Sequence, residues 1–215
     1  MTQPPEMLLE RIYRFYPRGI GSEHPRFLRA PESRRLRSVF EACAVSMGER
    51  RPEVIATLKP GPLDEDVKAV VDTMQAWPEF VQRLRREFAD CWVWNTTFMY
   101  EPGYSCHVSQ PGFVPGQPHY DPVVCLVSAL APIYALYASH SDKDKKDGWT
   151  RYSNFPKDYQ DREAKLAGLI EEAFQFSRIY EDTLFLPIPD VQPRESTLSM
   201  GEAKLIDCLF TSQRL

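Results

Sequence analysis

The chain lacks the short motifs by which many enzymes are recognised. Among its 215 residues no serine sits in Gly-x-Ser-x-Gly, and neither Gly-x-x-x-x-Gly-Lys nor Gly-x-Gly-x-x-Gly occurs. That excludes the usual nucleophile elbow and the usual loops that cradle phosphates or dinucleotides. Histidine is scarce, with four residues, and the five cysteines (Cys43, Cys91, Cys106, Cys125 and Cys208) match no zinc spacing. No apolar run reaches 18 residues, and the longest, within 123–139, is broken by Pro132. A membrane-spanning helix is therefore not expected. The first residues show no basic stretch followed by an apolar one, so no signal peptide is expected. Most of the cysteines lie among apolar neighbours, where a thiol behaves as a small hydrophobe. The expectation is a reduced, cytoplasmic protein.

What is present is apolar enough for a core, at 43%, and unusually rich in proline, with 19 residues. So much proline implies many short elements and extended connections. The net charge of −4 argues against a dedicated nucleic-acid binder. It is unevenly spread: residues 1–59 balance to +4 and the remainder to −8. That split is read as two solvated surfaces, with two faces of opposite sign as the alternative.

Periodicity gives the elements. Pro31 and Glu32 suit a helix start, and Leu36, Val39, Phe40, Cys43 and Met47 follow at helical spacing, with Gly48 as a possible end. Val67, Val70, Val71 and Met74 make a second stripe, and Phe80, Val81, Leu84 and Phe88 a third after Pro78. Residues 159–178 form the clearest helix, with Leu166, Leu169, Ile170, Ala173, Phe174 and Ser177 on one side. Strands are expected near 91–100, 104–109, 123–130 and 133–139, with hairpin-length turns at Pro102-Gly103 and Ala131-Pro132. The run Cys91–Asn95 is apolar at nearly every position and reads as a central strand covered on both sides. Residues 7–16 lean towards a strand by alternation, 183–189 look strand-like, and the C-terminal segment reads as a last strand. The sum is a single α+β domain: helices from about 31 to 88 and 159 to 178 packed on a mostly antiparallel sheet from 90–139 and the C-terminus.

Several residue sets invite chemistry. His119-Tyr120-Asp121 with the later His140 has the composition of a two-histidine, one-carboxylate iron site. Only 18 residues separate Asp121 from His140, which leaves room for a hairpin and little else. The alternative is that Asp121 caps a turn before Pro122 and His119 is solvated. Cys106-His107 with His119 has zinc-binding residue types, but adjacent strand residues point to opposite faces. A cysteine–histidine nucleophilic pair lacks any local signature. Arg34, Arg35 and Arg37, and Arg83, Arg85 and Arg86, sit beside helical stripes without interleaved aromatics, as a solvated helix face does. No catalytic residue, metal site or cofactor is assigned on these grounds.

Three blocks together resemble a known family: ArgIleTyrArgPheTyrProArgGly at 11–19, ValValCysLeuValSerAlaLeuAlaProIleTyrAlaLeuTyrAlaSer at 123–139, and MetGlyGluAlaLysLeuIleAspCysLeuPheThr at 200–211. They are similar to segments of small cytosolic proteins that occur as divergent paralogues in myxobacteria, associated with immunity to polymorphic toxins. The resemblance implies a binding protein without chemistry that neutralises a cognate protein toxin. It carries over no functional residues. The alternatives are a metal-dependent enzyme using His119, Asp121 and His140 (His107 is a further candidate), or an interaction module of another kind.

Two loops have the composition of a recognition surface. Residues 110–122 carry Phe113, His119 and Tyr120 among prolines and glycines. Residues 141–159 carry Trp149, Tyr152, Phe155 and Tyr159 among charges. Aromatics in polar loops make effective interface anchors. The competing expectation is that they fold back as lids on the core.

Overall fold

The computed structural model describes residues 3–46, 59–98, 101–143, 148–193 and 197–211. Met47, Gly48 and the charged run at 144–147 lie outside them. The described residues form an α+β domain whose seven strands make one mostly antiparallel sheet.

The helices are α1 (Pro5–Tyr13), α2 (Pro31–Ser46), α3 (Glu65–Met74), α4 (Trp77–Glu87), α5 (Lys157–Phe174), α6 (Glu181–Leu184) and α7 (Leu205–Leu209). The strands are β1 (Cys91–Asn95), β2 (Gly103–Pro111), β3 (His119–Tyr120), β4 (Val123–Ser128), β5 (Ile133–Asp142), β6 (Trp149–Arg151) and β7 (Ser177–Arg178). The order is β1-β2-β4-β5, with β3, β6 and β7 also on β5, and only β7 runs parallel to it. The β4–β5 hairpin turns at 129–132, as its sequence implies.

One face of the sheet is roofed by helices. Fully buried Trp77 of α4 meets Tyr104 of β2 at 5.4 Å and Phe174 of α5 at 6.2 Å, and Phe80 meets Phe174 at 4.8 Å. The expected stripes of α2 to α5 are buried, except that Ala173 is exposed and Ser177 lies beyond the helix, in β7. Left-handed Gln175 (φ 56°) ends α5 early. Burying such aromatic side chains supplies roughly 1.5–3 kcal/mol each.

Four expectations fail here. Residues 7–16 are mainly helical: Pro5 opens α1, Glu6 suits its first turn, and Leu8 and Ile12 bury at i,i+4. The C-terminal segment is helix α7, started by the Lys204 N–H donating to Asp207 Oδ2 at 2.7 Å. All five of its residues are buried, so neither periodicity shows in the sequence. The strand-like 183–189 gives α6 and a single bridge from Pro187 to Lys204. Finally, β1 is an edge strand, covered on one side only.

The C-terminal segment crosses the second face of the sheet closely. A Cβ on Gly103 would stand 2.8 Å from the Val127 carbonyl oxygen and 3.1 Å from the Phe210 backbone, so glycine is required there. Tyr16 donates to the Cys208 carbonyl at 3.1 Å and ties α1's exit to this segment. Among the described residues no helix is laid across the rest of the second face.

Candidate binding face

The ladder registers fix what the second face presents. Trp94 lies opposite His107, His107 opposite Val124, and Val124 opposite Tyr137. The next row runs from Thr96 through Ser105 and Leu126, with Thr96 and Ser105 hydroxyls 2.8 Å apart. These two rows floor a cavity of about 150 Å³, walled also by Phe98, Glu101, Phe210 and Thr211. Trp94 is 45% exposed and Phe98 55% exposed.

An aromatic cluster continues from this cavity along the sheet. Trp92 stacks on Trp94 at 5.3 Å and meets Phe113 at 5.8 Å, and Phe113 meets Tyr120 at 5.0 Å. Tyr120 stacks beside His107, whose Nδ1 lies 2.9 Å from the phenol oxygen. His107 is 6% exposed, and its Nε2 has no hydrogen-bond partner among the described residues. Burial holds the imidazole neutral, lowering its pKa to about 4, and burial also raises the Tyr120 phenol. The pair is thus uncharged at neutral pH and suits an apolar face.

The two loops singled out by composition do not form one surface. Phe113 and Tyr120 join the open face. Trp149 turns back onto His140 at 5.9 Å and Tyr159 at 5.4 Å. Tyr152 packs between Tyr137 at 5.0 Å and Phe185 at 4.9 Å. Phe155 is buried, with Arg178 lying 5.9 Å from its ring. His119 is exposed and sits 3.3 Å from Asp142.

The histidine–carboxylate residues are distributed over two cross-strand pairs. β3 continues the β4 register along β5, interrupted at Asp121-Pro122 because proline has no N–H to donate. His140 Nδ1 therefore meets Asp121 Oδ1 at 2.6 Å, while His119 meets Asp142. Arg162 of α5 holds this corner, donating to the Asp121 carbonyl at 2.7 Å and the Val108 carbonyl at 3.2 Å. Among the described residues no three histidine, cysteine, aspartate or glutamate side chains converge as metal ligands. Cys106 and Cys125 face each other across the ladder, Sγ to Sγ 3.1 Å, on the helix-covered face away from His107.

Sequence reasoning passed over Trp92, Trp94 and Phe98, and weighed His107 only as a metal ligand or enzyme residue. The alternation Cys-Trp-Val-Trp-Asn carried the signal, since Trp92 and Trp94 share a face opposite to Val93. Comparison with protein families, characterised proteins and solved structures finds no match.

Proposed function

We propose that the chain is a non-enzymatic binding protein that neutralises a cognate bacterial toxin by direct contact, docking it on the open aromatic face. The observation that carries this reading is the pair Trp94 and Phe98, half in water at the wall of one concave aromatic patch. Large aromatics held on a strand bury much area on docking and lose little entropy, which makes them effective anchors. Trp94 also belongs to an edge strand, and an edge offers backbone groups to an incoming segment. The acidic balance of −8 beyond residue 59 favours a basic partner through faster, steered encounter.

The resemblance to toxin-immunity proteins supports the same class. Its three blocks fall on the end of α1 and the turn after it, on β4–β5, and on α7 with the residues leading into it, elements of the scaffold. The exposed anchors Trp94 and Phe98 lie outside them, in β1 and the 96–98 segment, while the floor at Val124, Leu126 and Tyr137 and the wall at Phe210 lie within them. Among the described residues no helix is long and apolar enough to cross a membrane. We place the protein in the cytoplasm, where an incoming toxin would act.

The test is co-purification with the product of the gene immediately upstream. A stable complex, and rescue of cells expressing that product, are expected. An upstream product that neither binds nor harms cells contradicts the reading.

A further inference from the structure

We infer that the cavity on the open face is a binding site for a single uncharged phenol ring. The inference concerns the face proposed above as the docking surface, but it does not depend on a protein partner.

Size sets the first limit. The cavity holds about 150 Å³, and an apolar cavity of about that volume takes up one benzene. Shape sets the second. Val124 and Leu126 form the floor, Trp94 and Tyr137 end the row, and Phe98 and Phe210 stand at the sides. Aromatic faces and edges on several sides suit a flat ring.

The third limit is polar. His107 lines the cavity, is 6% exposed, and spends Nδ1 on Tyr120 at 2.9 Å. Its Nε2 meets no hydrogen-bond partner among the described residues and keeps contact with solvent, so a guest can reach it. A phenol answers this whichever ring nitrogen carries the proton, because its O–H donates and its oxygen accepts. The hydroxyls of Thr96 and Ser105 are bonded to each other. Charge sets the last limit: a carboxylate on the guest would have to be desolvated against a mostly apolar lining.

A free phenol and the tyrosine side chain of a partner protein present the same chemistry. Both are tested by titrating the full chain with p-cresol, toluene, 4-hydroxybenzoate and N-acetyltyrosinamide, following the methyl NMR signals of Val124 and Leu126. We expect saturable p-cresol binding with a dissociation constant on the order of 1 mM or tighter. Toluene should bind about five- to tenfold more weakly, and 4-hydroxybenzoate more weakly still. His107→Phe should bring p-cresol down to the toluene level, with a thermal melt confirming the fold. Leu126→Phe, which fills the cavity from its floor, should abolish binding of every guest. Tighter binding of p-cresol than of the tyrosine amide assigns a free small phenol; the reverse order assigns a partner's tyrosine. Failure of both to saturate, or equal affinity for toluene and p-cresol, overturns the inference. Phenol binding without capture of any toxin would leave this site standing and remove the docking reading alone.

Discussion

Acid should destabilise this protein well before its carboxylates are protonated, through His107. Its imidazole sits at the centre of the open face, bonded to Tyr120, with Val124, Trp94 and, in the cavity wall, Glu101 around it. Burial lowers its pKa to about 4 from an ordinary 6.5. The unfolded chain therefore takes up a proton between those values while the folded chain does not. Stability from this group is fully present above pH 6.5 and is lost as the pH falls to about 4. At about 1.4 kcal/mol per pH unit, the loss is about 3 kcal/mol. Urea unfolding at pH 7.5, 6.5, 5.5 and 4.5 should show that slope in the wild type. His107→Gln should flatten it, whatever the variant's stability at neutral pH. Equal slopes in both proteins, or an NMR titration of the His107 ring near 6.5, would refute the reasoning.

Three further outcomes follow from the packing. Gly103→Ala puts a methyl 2.8 Å from the Val127 carbonyl oxygen and 3.1 Å from Phe210, and should cost about 1–3 kcal/mol; a melting temperature unchanged from wild type would show that the C-terminal segment does not lie there. Arg162→Met leaves the Asp121 and Val108 carbonyls without their donor and should cost about 2 kcal/mol or more, with faster amide exchange in β3 as the specific readout. Cys43, Cys106, Cys125 and Cys208 are buried, burial pushes the Cys43 thiol up to about 12, and half-buried Cys91 is pushed up to about 11. Ellman's reagent at pH 8 should find no fast thiol in the native protein and all five after denaturation; a rapid stoichiometric reaction would contradict this packing.

Helices α2 to α5 were legible because each shows water on one side. The stripe Val67, Val70, Val71 and Met74 has one physical reading. Segments buried on every side carry no such period. Leu205–Leu209 is apolar except for Asp207, and its start rests on a local Lys204–Asp207 bond made by a residue type outside the usual N-cap set. In β1 the alternation was written in residue types that all count as apolar. Tryptophan on the open side and valine on the core side look alike until the edge position of the strand is known. The loop aromatics divide between two surroundings for a related reason. Composition showed that Trp149, Tyr152 and Phe155 need cover, but a folded sheet supplies it through Tyr159, Tyr137, Phe185 and Arg178 as well as a partner would. The pairing of His140 with Asp121 depended on β3 extending the β4 register past Pro122, which two residues of strand cannot announce.

The central claim is that the open aromatic face carries partner recognition. Calorimetric titration of the upstream gene product into wild-type protein, Trp94→Ala and Phe98→Ala tests it most directly, with Trp149→Ala as a control from the covered side. Losses of about 2 kcal/mol or more at Trp94 and at Phe98 are expected, with melting temperatures unchanged because both side chains are about half exposed. Full affinity in the Trp94→Ala/Phe98→Ala double variant, or a larger loss at Trp149 than at either, would place recognition elsewhere on the molecule.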